Sequence, residues 1–356
     1  MAEPRKKRLF PLYELTLARM LEFVRDPGAV FWVFGFPVLL AIALGIAFRD
    51  QGPERPRVAV VGAGASDVSA RLGADGRIEV TEIESGESAA DALRLGRIDL
   101  LVEAGALAND GPKRISYRFD PTRPGTTGAR VLTDDAIQRS LGRADVLEAA
   151  ESHVSEPGGR YIDYLVPGLI GLNVMGSCMW GMGYTIVDAR RRKLLKRFAV
   201  TPMRRTHFQL SFMLSRLVFL AAEIAVIVTF GWLAFGVRVH GSIAALGAVA
   251  LLSTFAFSGL ALLVASRTES TEVAAGWMNF VQLPMWLFSG AFFDYSRFPD
   301  AVQPFIKALP LTAFNDAARA IVNEGASIAA TWPQILILCA WAAVSFVLAI
   351  KIFRWQ

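Results

Sequence analysis

The segment at positions 188–207 is the part of this sequence best suited to binding a partner. It reads DARRRKLLKRFAVTPMRRTH, so arginines and lysines surround a few apolar side chains. A basic helix of this kind can anchor on anionic lipid. It can also dock on a protein, with its apolar residues in a groove and its arginines on an acidic rim. The residues alone leave both interpretations open. The candidate docking residues are Arg190, Arg191, Arg192, Lys193, Leu194, Leu195, Arg197, Phe198, Thr201 and Pro202.

The carboxylate of Glu223 is the second candidate for chemistry, because it lies inside the apolar run LVFLAAEIAVIVTF. Within a membrane such a residue is costly and normally faces the interior of a helix bundle. Glu223 could exchange a proton or contact a substrate, or it could form a hydrogen bond between helices in its protonated form. Arg216 lies about two helical turns earlier on a similar face. We expect this separation to be too long for a direct ion pair within one straight helix.

Further polar residues lie within or beside apolar runs. Asn173, Asn279 and Gln282 can each hydrogen-bond across helices. The stretch SGAFF that starts at Ser289 is followed by Phe298-Pro299 and two more prolines, which is unlike a plain loop. It could act as an outer gate or as a packed plug. The candidate path and gate residues are Glu223, Asn173, Asn279, Gln282, Ser289, Gly290, Phe292 and Phe293.

Several kinds of site are absent from the sequence. It contains no Gly-Lys dipeptide and therefore no phosphate-binding loop of the GxxxxGK[ST] type. If ATP drives this protein, another chain must bind it. The two cysteines, Cys178 and Cys339, lie in separate apolar runs, and the three histidines are scattered, so neither a disulfide nor a metal site is expected. We expect no cofactor in this chain.

The elements that must position these residues are long apolar helices. The chain is 53% hydrophobic and 19% charged, against about 25% charged in soluble domains. A bilayer core needs roughly 20 apolar residues of helix. Six runs meet this length, which predicts an α-helical polytopic membrane protein with six transmembrane helices. The runs cover residues 29–48, 161–187, 208–235, 242–265, 273–292 and 332–353.

The regions outside the spans differ in charge and pattern. Arginines and lysines concentrate before the first run and between the second and third, so both termini should be cytoplasmic. Residues 1–28 predict an amphipathic helix on the cytoplasmic face of the membrane. In residues 49–160 short strand patterns alternate with helical ones, which predicts a small inserted α/β domain outside the cytoplasm. Its Gly62-Ala-Gly64 turn lacks the third glycine of a dinucleotide-binding fingerprint, because Asp67 stands there.

Five stretches, taken in order, resemble the type-2 permease family of ABC transporters, whose members are similar to type V exporters. They are Arg25-Asp26-Pro27, YLVPG from Tyr164, LLKRFAVTP from Leu194, PMWLFSGAFF from Pro284, and Phe298-Pro299 followed by LPLT from Leu309. The resemblance covers nearly the whole chain, and members with a large insert after the first span are most similar.

The resemblance implies a function and a set of partners. Residues 1–28 would form an elbow helix, residues 188–206 a coupling helix that docks the ATPase, and residues 293–331 an outer segment of short re-entrant helices. The chain would be an export permease of a bacterial or archaeal inner membrane. It would pair with a second permease copy and with a separate ATP-binding subunit that holds ATP and Mg²⁺. Many members carry a Glu-rich coupling segment, whereas this chain has Asp188 and a basic run.

Two other functions remain open on the residues alone. The chain could be a membrane receptor or scaffold with a ligand-binding outer domain, although its cytoplasmic segments are short for signal output. It could also be a secondary transporter using Glu223, but that class predicts paired repeats with broken helices, and we find no internal repeat. The sequence does not reveal the substrate.

Overall fold

The computed structural model describes residues 11–48, 55–81, 83, 86–105, 115–123, 125–144, 159–193, 205–268 and 270–352. The chain divides into two compact units. One is Gln51–His153, and the other combines Met1–Asp50 with Val154–Gln356.

The first two helices meet at a tight turn that the sequence specifies. Helix α1 covers Pro11–Val24, and helix α2 covers Pro27–Ala47 with a π-helical turn near its start. Asp26 caps α2, because its carboxylate accepts hydrogen bonds from the backbone N–H groups of Gly28 and Ala29 at 2.9 and 3.2 Å. Proline at the first helical position has no N–H to lose. The turn therefore leaves no unsatisfied donor at this end of α2.

The unit Gln51–His153 contains a four-stranded sheet with helices. Its strands are β1 (Arg57–Val61), β2 (Glu79–Thr81), β3 (Leu100–Ala104) and β4 (Ile115–Arg118). Its helices are α3 (Ala65–Gly73), α4 (Gly86–Arg94) and α5 (Thr126–Ser140). The strand order is β2-β1-β3-β4, with β1 parallel to both neighbours and β4 antiparallel to β3. Apolar side chains of β1, β3 and the flanking helices form the core.

Gly62 occupies the turn after β1 for a steric reason. Its φ is +107°, and a Cβ there would lie 2.4 Å from the carbonyl oxygen of Ala104. Only glycine fits such a position without strain. This packing accounts for the glycine without a bound nucleotide.

The other unit continues with long helices after α2. They are α6 (Tyr161–Arg191), α7 (Arg205–Phe235), α8 (Ile243–Ala265) and α9 (Thr271–Phe288). Helix α6 contains a π-helical turn at Met179–Tyr184, and α6 and α8 are the most deeply buried. Helix α9 ends before the predicted limit of residue 292, because the chain leaves the helix at Gly290 with φ +72°.

The region after α9 is built from short helices. After a 3₁₀ turn at Tyr295–Arg297 come α10 (Gln303–Lys307) and α11 (Pro310–Val322). A second 3₁₀ turn, Ile328–Thr331, leads into α12 (Trp332–Ile352). Most of α11 is buried, including Phe314 and Asn315 at 0% exposure. It is therefore part of the core of this unit, not a surface loop.

Five helical segments of the described chain are long and apolar enough to cross a membrane. They are Pro27–Ala47, Tyr161–Arg191, Leu214–Phe235, Ile243–Ala265 and Ile328–Ile352. The chain is thus mostly helical and consistent with a polytopic membrane protein. Helix α9 has 18 residues, but Glu272, Asn279 and Gln282 reduce its hydropathy and it is not among the five. The predicted sixth span at residues 273–292 is therefore not supported by length and composition together.

Candidate functional site

A large cavity lies among the helices of the unit that combines residues 1–50 with 154–356. Its volume is about 1280 Å³, and it is bounded by α1, α2, α6, α7, α8, α9 and α12. Most of the wall is apolar. The aromatic part of the wall includes Phe23, Trp32, Phe36, Trp180, Trp286 and Phe292. The polar part includes Asn173, Ser177, Arg216, Glu223, Asn279 and Gln282.

Arg216 and Glu223 form a direct bidentate ion pair on one wall of this cavity. The distances are 2.6 Å from Nη1 to Oε1 and 3.1 Å from Nη2 to Oε2. Our expectation that the two residues are too far apart for a direct pair is wrong. A separation of seven residues is roughly 10 Å along a helix. The long arginine side chain and the glutamate, extended towards each other along α7, span that distance together.

The ion pair is buried and joined to a second helix. The side chain of Glu223 is 1% exposed and that of Arg216 is 15% exposed. Ser177 Oγ on α6 lies 3.3 Å from Glu223 Oε2, and its shorter contact, at 2.6 Å, is with the carbonyl of Asn173. Both carboxylate oxygens are thus engaged within the protein. A buried charge pair with these contacts is costly to separate, because each ion would remain in a poorly solvated site.

The three predicted amides all line the cavity, but they differ in exposure. Asn173 on α6 is 8% exposed and Gln282 on α9 is 3% exposed, whereas Asn279 is exposed. Within the described part of the chain, Asn173 Nδ2 and Gln282 Nε2 have no hydrogen-bond partner. Buried donors in proteins are normally paired. These two amide nitrogens are therefore buried polar atoms without a partner, on residues that line the cavity.

The predicted gate residues Ser289 and Gly290 lie at a turn tied to two other helices. The carbonyl of Gly290 accepts hydrogen bonds from Tyr164 Oη at 2.5 Å and from Arg319 Nη2. Asn315 Nδ2 donates to the carbonyl of Ser289 at 3.2 Å. This network connects the end of α9 to α6 and α11.

The two phenylalanines that follow this turn have separate surroundings. Phe292 lines the cavity. Phe293 stacks near Phe298, with ring centroids 6.0 Å apart. The structure thus places only one member of the predicted pair at the cavity.

Arg319 and Asp316 belong to the same network but carry no obvious sequence signal beyond being charged residues in a mostly apolar helix. The guanidinium of Arg319 lies 3.6 Å above the ring of Tyr164, a cation–π contact. Tyr295 donates a hydrogen bond to Asp316 at 3.1 Å, and Arg319 lies 3.8 Å from the same carboxylate. Burial raises the pKa of Asp316 to about 6, although Arg319 opposes the rise. Asp316 therefore titrates near neutral pH.

The first residues of the predicted coupling helix have contacts inside the chain. Arg190 Nη1 donates to the carbonyl of Ala265, the last residue of α8, at 2.7 Å and to that of Thr268, just after the helix, at 2.9 Å. Arg191 donates to Thr271 Oγ1 at 3.1 Å. A cation is favourable at a helix C-terminus, where carbonyls are unsatisfied. These two arginines thus join the end of α6 to the turn between α8 and α9.

The remaining candidate docking residues are less constrained or undescribed. Arg192 pairs with Asp188 at 2.8 Å, and Lys193 has φ +57°. The predicted docking residues Leu194, Leu195, Arg197, Phe198, Thr201 and Pro202 lie outside the described residues. Over the described ranges, no group of three or more His, Cys, Asp and Glu side chains has a geometry that could hold a metal ion.

Comparison with known proteins identifies related membrane proteins. A family model described as ABC-2 family transporter protein matches residues 27–351. The chain is 30% identical over 119 residues to the inner membrane transport permease YhhJ of Escherichia coli K12, covering 33% of this chain and 32% of that protein. It is 32% identical over 106 residues to nodulation protein J of Rhizobium meliloti, covering 30% of this chain and 40% of that protein. The alignments therefore span about a third of the length of these relatives.

Proposed function

The chain belongs to the ABC-2 family of transporter proteins, and on this basis we propose that it is the export permease of an ATP-driven transporter. The family match confirms the resemblance found in the sequence and makes the chain a membrane permease subunit of an ABC transporter. An ABC ATP-binding subunit is the partner that the family implies. We further propose that the permease exports its substrate, that ATP bound by the partner drives this export, and that two permease copies pair.

The observation that carries the proposal is the cavity among seven helices, with its buried polar patch. Its walls are mostly apolar, yet they contain the Arg216–Glu223 pair and two buried amides. Polar residues inside a membrane bundle are expensive and typical of a transport pathway. The cavity is therefore the proposed translocation path, and the turn at Gly290 is its proposed outer gate.

The link to the ATPase is proposed at the cytoplasmic end of α6. Residues 188–206 form the coupling helix in this proposal. The contacts of Arg190 and Arg191 with the α8–α9 turn support it, because they would carry a displacement at the docking site into two more helices. The ATP-binding subunit then docks on the later part of the segment, which contains Arg197 and the apolar residues 194, 195 and 198.

The topology completes the proposal. We place α9 as a sixth span, with Asn279 and Gln282 on the cavity side of the bundle. Both termini then lie in the cytoplasm of a bacterium or archaeon. The unit Gln51–His153 then lies outside the cytoplasm as an inserted α/β domain. A secondary transporter driven by Glu223 is less well supported, since both carboxylate oxygens of Glu223 are engaged by Arg216 and Ser177.

Co-purification with an ATPase tests the function. The permease is expressed with ATP-binding-cassette subunits of its organism, beginning with any encoded beside its gene, and the complex is reconstituted into liposomes. We expect the permease to retain the subunit and to change its ATPase rate. Reversing the charge at Arg191, Arg192 and Arg197 together should abolish that coupling while membrane insertion remains normal.

Arg238 provides the matched control for this experiment. It is exposed in the turn between α7 and α8, which the proposed topology places on the opposite side of the membrane. Arg238→Glu should leave the coupling unchanged. A permease that neither retains the subunit nor alters its ATPase rate would defeat the export proposal. Unaltered coupling in the triple variant would defeat the docking assignment alone.

A further inference from the structure

We propose that the turn at residues 289–298 is a proton-operated latch on the cavity, which holds closed when Asp316 is protonated and loosens when Asp316 carries its charge. This inference rests on the proposed transport function and names a regulation of the outer gate assigned there. Three features carry it: the contacts that hold the turn, the charged groups around Asp316, and the position of the turn at the cavity wall.

Side chains of neighbouring helices hold the turn at two points. At its start, the carbonyls of Ser289 and Gly290 accept hydrogen bonds from side chains of α6 and α11. Further along, the hydroxyl of Tyr295 donates to Asp316 on α11 at 3.1 Å. Phe292 lies between these two points in the chain and lines the cavity. A displacement of the turn from α11 would therefore move a residue of the cavity wall.

The surroundings of Asp316 make its charged form costly. The charged and titratable groups that act on it are Arg319 of its own helix, Tyr295 and Asp294 of the turn, and Lys307 of α10. Arg319 stands 3.8 Å away, and its guanidinium also donates to the Gly290 carbonyl and lies on the ring of Tyr164, so it offsets the charge of Asp316 only in part. Asp294 adds a second negative charge. Burial therefore keeps the pKa of Asp316 raised to about 6.

Opening of the turn reverses these conditions. It removes Tyr295 and Asp294 from Asp316 and exposes the carboxyl group to water, so the pKa of Asp316 returns towards its ordinary value of 3.8. The closed form thus binds the proton more tightly than the open form, and acid on the outer face favours closure. With these two pKa values, the ratio of open to closed turn should rise about tenfold from pH 5.0 to pH 7.5.

Hydrogen exchange of the purified permease in a nonionic detergent tests the latch without the ATPase. Exchange of the backbone amides of residues 289–298 is compared between the wild type and Asp316→Asn at pH 5.0 and at pH 7.5. The intrinsic exchange rate of each amide is the same in both proteins, so the ratio of their rates reports the opening of the turn. We expect the ratio of wild type to variant to rise about tenfold between the two pH values, because only the wild type ionises at position 316.

Two further variants separate the latch from the general effects of charge. Asp300 is an exposed carboxylate that follows the same turn and accepts a hydrogen bond from Gln303 at 3.1 Å. In the matched control Asp300→Asn, the ratio of wild-type to variant rates should be the same at both pH values. Tyr295→Phe keeps the ring but removes the hydroxyl that holds Asp316. Its amides should exchange about three- to tenfold faster than those of the wild type at pH 5.0, the loss of one hydrogen bond.

Access to the cavity from outside gives a second measurement. Asn279 is an exposed residue of the cavity wall, so Asn279→Cys, in a Cys339→Ala background, reports whether a membrane-impermeant maleimide added to spheroplasts enters the cavity. The labelling rate, divided by that of the same reporter with Asp316→Asn, should be about tenfold lower at an outer pH of 5.0 than at 7.5.

The outcomes separate the latch from the transport function. A ratio of exchange rates that is equal at the two pH values, or that falls as the pH rises, would overturn the latch. Labelling at position 279 that is absent, or that does not follow the exchange, would overturn its role as an outer gate. If Asp316→Asn does not fold, wild-type exchange rates divided by those of an unstructured peptide of the same sequence still decide. Failure to retain an ATP-binding subunit would defeat the export proposal and leave the exchange result intact.

Discussion

The Arg216–Glu223 pair allows a sharp test of how charge is buried in this bundle. Glu223→Gln keeps the size of the side chain but leaves the charge of Arg216, which is 15% exposed, without its counter-ion. Arg216→Met leaves the carboxylate of Glu223, which is 1% exposed, likewise without its counter-ion. Removing one partner of a buried ion pair costs about 3–5 kcal/mol. We expect each single variant to lose stability in that range.

The double variant provides the decisive comparison. Arg216→Met with Glu223→Gln removes both charges at once, so no buried ion remains uncompensated. Replacing a buried pair by neutral residues is often close to neutral in stability. We therefore expect the double variant to be more stable than either single variant, so the coupling free energy of the cycle should be at least about 3 kcal/mol, the cost of one single variant. Ser177→Ala, which removes the 3.3 Å contact with Glu223 and the 2.6 Å hydrogen bond to the carbonyl of Asn173, should cost about 1 kcal/mol.

Unfolding free energies from titration with sodium dodecyl sulfate in mixed micelles would measure this cycle. The reasoning fails if Glu223→Gln is as stable as the wild type, or if the two single effects simply add in the double variant. Transport gives a separate readout for the same residue. A Glu223→Gln protein with unchanged transport and an unchanged pH profile would show that Glu223 has a structural role and exchanges no proton.

Two further predictions concern packing and pH. Gly259→Ala on α8 should lower the unfolding free energy by about 1–3 kcal/mol, because the new Cβ would lie 2.1 Å from a serine hydroxyl of α12. In the control Gly247→Ala on the same helix, the new Cβ meets no atom within 4 Å, so this substitution should be neutral or stabilising. Equal effects of the two substitutions in the same titration would contradict the close approach of α8 and α12. The folded-state pKa of Asp316, about 6, lies above the ordinary value of 3.8, so the folded state binds more protons between these values and its stability falls as the pH rises through them. The melting temperature of Asp316→Asn minus that of the wild type should therefore be larger at pH 7.5 than at pH 5.0, and a difference that does not change with pH would refute the burial of this carboxylate.

The long helices could be predicted from the sequence because their signal is local. An apolar run of about 20 residues determines a span whatever its neighbours are. The limits of α8 and α12 follow their runs closely. Helix α9 shows where this reasoning stops. Its run continues to Phe292, but the positive φ at Gly290 and the hydrogen bonds of that carbonyl to Tyr164 and Arg319 end the helix earlier. Those partners are distant in sequence, so no local pattern could reveal them.

Part of the candidate site could be predicted from the sequence, but the contacts between its residues could not. Isolated polar residues in apolar runs identified Glu223, Asn173 and Gln282, and all three line one cavity. The direct ion pair between Arg216 and Glu223 was missed because the prediction considered only the distance along the helix axis. It did not include the lengths of the two side chains that span this distance. The unpaired state of the two amides depends on where α6 and α9 lie, which only the tertiary structure supplies.

Arg190 shows why a basic segment cannot be assigned to a partner from composition alone. Its charge suggested a docking surface, yet its guanidinium lies on carbonyls at the end of α8, where it satisfies acceptors that a helix terminus leaves unpaired. The same helix, α6, carries Asn173 and Ser177 at the cavity and Arg190 at its other end, with the π-helical turn Met179–Tyr184 between them. Such turns interrupt regular helical hydrogen bonding and occur frequently at functional sites. Under the proposed function, a displacement at the coupling helix reaches the cavity wall along this single element, and Arg190 and Arg191 link it to α8 and α9.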